Sequence, residues 1–426
     1  MSHSSKVAAL LAVTLVTHAS PVFAEDCASR VTRSNLVACA LSVSPALNVA
    51  RTEIDAADAR KTSVSSVLPA NPTLGLALAR RSATGEATAT NWDARLSQEV
   101  EVAGQRGVRR AAAQAEIDAR TTEGLLVRRE IAADAWVAFF DLLSAEEEQE
   151  LAARLSMASQ IVVAAARGRA EKGVIAPIDA DVADAAATRV YQAKLAADRR
   201  LAEANATLAS MMGADPNRSA IVANGALVPI AGIDLTAASL GANASATRLE
   251  VRVLDAERHA FELRADAYRR TRIPNPTVSL FVQNDGFDER VLGVGLAFPI
   301  PLPGNVGRTY VGEIAEADAF ARRTAAERQR FQRAVRLEVV VAAQAYASRK
   351  KEVEAFPLEK TRRAEDSLRS LGEEIEAGRL SIRDAVITEQ ALIELLQAGV
   401  AARRAWCLAS IDLALATGAP LEGGAL

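Results

Sequence analysis

The stretch "NPTLGLAL" at residues 71–78 alternates large apolar and small positions, and "NPTVSLFV" at 275–282 repeats the pattern 204 residues later. In the first copy Leu74, Leu76 and Leu78 share one face of an extended segment, with Gly75, Ala77 and Ala79 on the other. "SATGEATATN" then reads as a turn, after which Trp92, Ala94 and Leu96 oppose Asp93, Arg95 and Ser97. In the second copy Val278, Leu280 and Val282 oppose Thr277, Ser279 and Phe281. Beyond "NDGFDE", Leu292, Val294, Leu296 and Phe298 oppose Gly293, Gly295 and Ala297. The pattern predicts a β-hairpin in each copy, over 71–102 and 275–299, with one apolar face and one small or polar face. Four strands cannot close a barrel alone and leave open edges. Pro299, Pro301 and Pro303 mark where the last strand stops.

The period then changes from two to that of a helix. No proline occurs from 73 to 176, and residues from about 105 to 170 predict one helix about 100 Å long at 1.5 Å per residue. Further on, Leu392, Leu395, Gly399, Ala402, Trp406, Ala409, Leu413 and Ala416 recur at spacings of three and four. Ala187, Val190, Lys194, Ala197, Leu201, Ala204, Leu208 and Met211 match them 205 residues earlier, with Lys194 the one break in the apolar seam. A sustained 3.5-residue period predicts left-handed coiled packing.

The duplication extends to the turns. Gly173 opens "GVIAPIDA" and Gly378 opens "GRLSIRDA"; Asp179 pairs with Asp384, Leu208 with Leu413 and Gly213 with Gly418, all at an offset of 205. The chain therefore divides into an N-terminal segment (25–44), a first repeat (45–215) with a tip at 173–179, a connector (216–245), a second repeat (246–420) with a tip at 378–384, and a tail (421–426). Gly107 to Gly173 spans 66 residues and Gly307 to Gly378 spans 71, so the second long helix carries about five extra residues and Pro357. That combination predicts a local interruption near Pro357.

The remaining chemistry is sparse. Lys6 precedes the apolar run "VAALLAVTLV", and Val22 and Ala24 stand at −3 and −1 of a cleavage point, which predicts a secretory signal peptide over 1–24. Cys27 and Cys39 suit either a disulfide in an oxidising compartment or two thiols, and Cys407 is alone. The balance of 50 basic against 53 acidic residues offers no footprint for nucleic acid. Half the residues are apolar but only 4% aromatic, the composition of a helix-rich chain and not of one large globular core. His259 is the one histidine after the signal and lies in a helical pattern. No phosphate loop, HExxH or CxxC motif is present, and "SAEEEQE" (144–150) reads as solvated helix surface. These residues point away from an enzyme, a cofactor and a resident metal site.

The order helix, "NPT" hairpin, long helix, glycine tip and return helix, written twice, resembles the TolC-type outer-membrane efflux channels. "EVAGQRG" (101–107) and "IPLPGNVG" (300–307) resemble the strand-to-helix junctions of that family's heavy-metal (cation) branch. The resemblance implies a mainly α fold with a small β part: duplicated long antiparallel coiled helices forming a trimeric periplasmic α-barrel. Two hairpins per protomer would contribute to a 12-stranded outer-membrane β-barrel. It implies a homotrimer in the outer membrane of a Gram-negative bacterium, a passive exit duct working with a periplasmic adaptor protein and an inner-membrane efflux pump. Leu74, Leu76, Leu78, Trp92, Leu96, Leu280, Leu292 and Leu296 would face outer-membrane lipid, and Arg95 and Gly295 the lumen. Gly173, Ile175, Gly378, Leu380 and Ser381 would form the adaptor-docking tips, and Asp179 and Asp384 the pore constriction. Organic toxicants or a secreted polypeptide are alternative cargoes to metal cations. A soluble periplasmic coiled-coil scaffold is the alternative in kind.

Overall fold

The computed structural model describes residues 27, 29–82, 84–85, 87–215, 221–230, 244, 246, 248–284, 289–304 and 306–421. The expected signal peptide lies outside them. In chain order the elements are β1 (Arg30–Thr32), α1 (Leu36–Val43), α2 (Pro45–Val64), β2 (Thr73–Arg81), β3 (Ala89–Glu99), α3 (Gln105–Glu171), α4 (Pro177–Met211) and β4 (Val222–Asn224). The second half follows with α5 (Leu249–Thr271), β5 (Thr277–Asn284), β6 (Arg290–Ala297), α6 (Val311–Glu354), α7 (Leu358–Glu376) and α8 (Ile382–Thr417). The fold is mainly α with a small β part, as the hydrophobic pattern predicts.

Helix α3 is the spine. Its 67 residues run about 100 Å, and α1, α2, α4, α5, α7 and α8 all pack on it. Near the sheet, Glu116 of α3 meets Arg60 of α2 at 2.8 Å and Arg264 of α5 at 3.9 Å. Farther along, Asp141 meets Arg404 of α8, and Glu148 meets Arg200 of α4. "SAEEEQE" is thus not a solvated face. Glu147 and Glu148 are ion-paired across helix interfaces, and burial pushes the Glu146 and Glu147 carboxyls up. A sequence shows the charge but not the Arg200 and Arg403 that return to meet it.

The densest packing lies midway along α3. Trp136, Phe139 and Phe140 are fully buried, with ring centroids 5.4–6.1 Å apart. Arg33 lays its guanidinium 5.1 Å from the Trp136 ring and donates to the Val228 and Pro229 carbonyls. Around this cluster, β1 and β4 pair in parallel, Arg30 to Val222 through Thr32 to Asn224, tying the N-terminal segment to the inter-repeat connector. Cys27 and Cys39 are joined as a disulfide that pins α1 beside β1. Cys407 is buried, and burial pushes its thiol up to about 12, so it behaves as a small apolar side chain.

The four landmark glycines share one role. Gly173, Gly213, Gly378 and Gly418 all have φ between 69° and 75°, and each stands at the end of a helix. That left-handed conformation ends a helix without the Cβ penalty other residues meet. The seam residues flanking them are buried or half-buried, and Lys194 is accommodated by pairing with Asp198 at 2.8 Å while Gln149 donates to the same carboxylate.

The second long helix is interrupted, as the sequence predicts: α6 ends at Glu354 and α7 begins at Leu358 with Pro357 as its N-cap. The length argument behind that expectation needs correction. Val311 to Gly378 spans 67 residues and Gln105 to Gly173 spans 68, so the break adds no length. The extra residues lie before α6. Tyr310, at φ 54°, stands where Gly104, at φ 71°, caps α3, so Gly107 and Gly307 are not equivalent. At the break the Phe356 side chain packs over the seam at Gly399, 3.8 Å from where a Cβ there would stand.

Arg129 closes the spine against the end of α8. It is buried and donates to the carbonyls of Ala414 at 2.7 Å, Ala419 at 3.0 Å and Gly418 at 3.3 Å. A cation at a helix C-terminus also complements the dipole. Arg129→Met leaves these acceptors unpaired and is expected to cost roughly 2–4 kcal/mol. A thermal or denaturant transition unchanged from wild type would show that water replaces the guanidinium there.

Candidate functional site

The two hairpins, about 200 residues apart in sequence, join in one antiparallel sheet of order β2-β3-β5-β6. Cross-strand partners share a face. One row reads Leu74, Leu96, Leu280, Val294, and the next reads Leu76, Ala94, Val282, Leu292. Leu78 pairs with Trp92, beyond which the same row turns polar at Asn284 and Arg290. Val278 pairs with Leu296 near the other end. All eight residues expected to face lipid therefore lie on one side of a single sheet. Every residue of β2 is exposed, and Leu78 and Leu292 each reach 80% exposure.

The opposite face is small or polar. Its rows read Gly75, Arg95, Phe281, Gly293, and Thr73, Ser97, Ser279, Gly295. Arg95 stacks 5.6 Å from the Phe281 ring. That ring lies where a Cβ on Gly293 would stand, only 2.3 Å from its nearest atom, so the glycine makes room for the one aromatic residue on this face.

A buried junction fixes the sheet to the spine. Gln105, at the first turn of α3, is buried; its Oε1 accepts from the Ala103 amide at 2.9 Å. Its Nε2 donates to Asn275 Oδ1 at 2.8 Å and to the Ile273 carbonyl at 3.2 Å. Asn275 in turn donates to Glu99 at 2.8 Å, and the Val100 amide donates to the Pro276 carbonyl at 2.9 Å. The asparagine and proline of the second "NPT" thus hold the first repeat's strand-to-helix corner. Gln105 stands in the quoted junction motif "EVAGQRG", yet nothing in its spacing marks it as buried.

At the far end of α3 the tips are built alike. The Val174 amide donates to the Arg169 carbonyl, and the Arg379 amide to that of Glu374, closing each helix around its glycine. Ile175 and Leu380 are half-buried and pack on the protomer's own core. The exposed apolar side chains at the first tip are instead Val174 and Ile178. The tips are also joined to each other: Arg169 donates to the Ile375 carbonyl at the end of α7, and its guanidinium lies 3.6 Å from the position of a Cβ on Gly378.

Asp179 and Asp384 both lie in the first turn of a helix, half-buried and exposed respectively. Ser381 caps α8: its Oγ accepts from the Asp384 amide at 3.2 Å and donates to Asp384 Oδ2 at 2.7 Å. Ala176 holds the matching place in the first repeat and has no side chain to cap with.

The same fold is found in solved outer-membrane channels. The outer membrane protein VceC of Vibrio cholerae is 18% identical, with a TM-score of 0.69 covering 91% of this chain and 96% of that one. The transmembrane channel CusC is 14% identical at 0.70, over 90% and 91% of the two chains. The CmeC outer membrane channel of Campylobacter jejuni is 14% identical at 0.71, over 92% and 86%. No curated protein matches the sequence. Residues 36–214, the first of the two repeats, match the outer membrane efflux protein family.

The Ser381 cap generates a test at the tip. Ser381→Ala is expected to remove about 1 kcal/mol from the start of α8, which is roughly a fivefold loss of protection for the Asp384 amide in hydrogen exchange. Unaltered protection would mean that packing, not the cap, holds that turn.

Proposed function

We propose that the chain is one protomer of a homotrimeric exit duct in the outer membrane, a channel and not an enzyme. The sheet carries this reading: one face is apolar and bare, and β2 and β6 are open edges. Three copies pairing β6 to β2 would give a 12-stranded barrel with no edge, the apolar rows toward lipid and Arg95 and Gly295 toward the lumen. Strands of 8–11 residues suit the length a membrane strand needs, and Trp92 lies where the apolar rows turn polar, as interfacial aromatics do. The helical body, with α3 about 100 Å long, then forms the tunnel on the periplasmic side.

In this reading the tips receive a periplasmic adaptor that links the duct to an inner-membrane pump. Gly173 and Gly378 shape the turns, Val174 and Ile178 add exposed apolar surface to that of Ile175 and Leu380, and Ser381 is occupied by its cap. Asp384, and Asp179 beside it, would line the constriction as rings of three carboxylates. Heavy-metal cations are the proposed cargo, supported by the junction motifs "EVAGQRG" and "IPLPGNVG".

Two experiments test the reading. Leu292→Arg places a charge among the apolar rows and is expected to cost roughly 2–4 kcal/mol per protomer, seen as loss of assembled trimer from outer-membrane fractions. Ala77→Arg, on the opposite face across from Asp93, is expected to assemble. Equal assembly of both variants would reverse the face assignment, and release of the wild-type protein without detergent would make it a soluble scaffold. Purified trimers in planar bilayers are expected to be cation-selective and blocked from the periplasmic side by trivalent cations, with Asp384→Asn weakening the block. Block and selectivity untouched by that change would leave Asp384 as part of a helix cap alone.

A further inference from the structure

Roughly two turns into α8, a cleft of about 220 Å³ opens between α3, α4 and α8. Its walls are mostly apolar, with Leu155 from α3, Val190 from α4 and Ile393 from α8, and α8 adds Gln390, which donates to Glu394 at 3.1 Å, and Gln397. Glu389 stands among them at 3% exposure, and its Oε1 is buried with no hydrogen-bond partner. Glu394 lines the same cleft from α8, and Arg189 of α4 lies at its rim without an ion pair to either acid.

The duplication sharpens the oddity. The repeat-equivalent of Glu389 is Asp184, which is exposed and paired with Arg167 at 2.7 Å. The first repeat satisfies its acid with a counter-charge at the surface, while the second buries one beside a cavity with no counter-charge and only the Ser159 hydroxyl near it. A buried carboxyl without a partner is destabilising, and helix packing alone would be better served by an apolar residue.

We propose that this cleft is a binding site for a small organic cation with an apolar body, its charged head seated against Glu389 and Glu394. Two carboxyl groups disfavour an anion, and a neutral ligand would leave Glu389 unmatched. A metal ion fits poorly: the cleft offers only two carboxylates, and no three His, Cys, Asp or Glu converge among the described residues. The volume lies below the roughly 300–1,000 Å³ of drug-sized pockets, so the ligand is small. The site rests on helix packing within one protomer and holds whether or not the chain forms a duct.

The acid's environment gives the pH dependence. Burial pushes the Glu389 carboxyl above its usual range, and the Ser159 hydroxyl of α3 partly offsets this. The charged groups facing the cleft are Arg189 from α4 and Glu394 from α8. A cation needs the ionised form, so its affinity rises with pH through the elevated pKa of Glu389.

The test titrates benzyltrimethylammonium, and benzyl alcohol as an uncharged control, into the purified full-length protein by calorimetry. The cation is expected to bind saturably and to tighten from about pH 5 to about pH 8. Glu389→Gln is expected to weaken it by about tenfold or more, the scale of one charge-assisted contact. That variant removes an orphan acid while keeping its shape, so it is expected to unfold no earlier than wild type at neutral pH. Arg189→Ala, an exposed change that removes the competing cation, is expected to tighten binding and supplies a second readout should the first variant fail to assemble. No saturable binding of the cation, equal affinity in Glu389→Gln, or benzyl alcohol binding as tightly would each overturn the proposal.

Discussion

A four-stranded sheet with both edges open and neither face covered is not a stable end state for a chain in water. The apolar rows from Leu74 to Leu296 lie bare, and β2 and β6 each have a strand neighbour on one side only among the described residues. Leaving a strand edge unpaired invites another strand, and leaving so many leucines and valines exposed invites an apolar medium. Both demands are met together only if the edges pair with other copies and the face meets lipid. The rest of the architecture follows from this constraint. The glutamine–asparagine junction at Gln105 and Asn275 must hold the sheet square to the spine, because no packing on either face does so.

The helical body meets the opposite problem. A helix about 100 Å long and rich in alanine gains little from any single contact, so its stability has to come from continuous packing along one side. Small seam residues such as Ala187, Ala197, Gly399 and Ala402 let neighbouring helices approach closely. One aromatic cluster, Trp136 with Phe139 and Phe140, concentrates large-side-chain burial where the N-terminal segment and the connector wrap the spine. The chain's low aromatic content is thus not evenly thin: three of its few large rings sit in one place, under Arg33.

Much of this was legible in the sequence because it is periodic. Strict alternation located both hairpins and sorted their faces, and the 3.5-residue seam located the return helices. Features without a period were not legible. The strands Arg30–Thr32 and Val222–Asn224 are too short to alternate, and their parallel pairing depends on chain segments almost 200 residues apart. The Arg129 cap and the inward turn of Glu147 and Glu148 depend on partners that only the tertiary fold supplies. The glycine landmarks do end helices, but counting between Gly107 and Gly307 misleads, because the residue that caps α6 in Gly104's place is Tyr310. At the tips, the sequence presented Ile175 and Leu380 as contact residues, whereas both spend part of their surface on their own core.

The two repeats share a plan but are not interchangeable, and the differences lie on matching positions. Where the second repeat has Gly399 under Phe356 at a helix break, the first has Lys194 paired with Asp198 beside an unbroken α3. Where the second has the Ser381 cap, the first has Ala176. Arg169 then bonds the first repeat's helix end to the carbonyl of Ile375 in the second. A stiff, uninterrupted hairpin is thereby tied at its tip to a jointed one. Any motion that parts the tips has to break the Arg169 contact first. At Ala355 and Phe356 the α-helical ladder gives way to shorter bonds to Glu352 and Val353, so bending there disturbs fewer bonds than bending within α3. The asymmetry between the halves therefore places the compliant element in the second repeat, between the anchored middle of the spine and the tip.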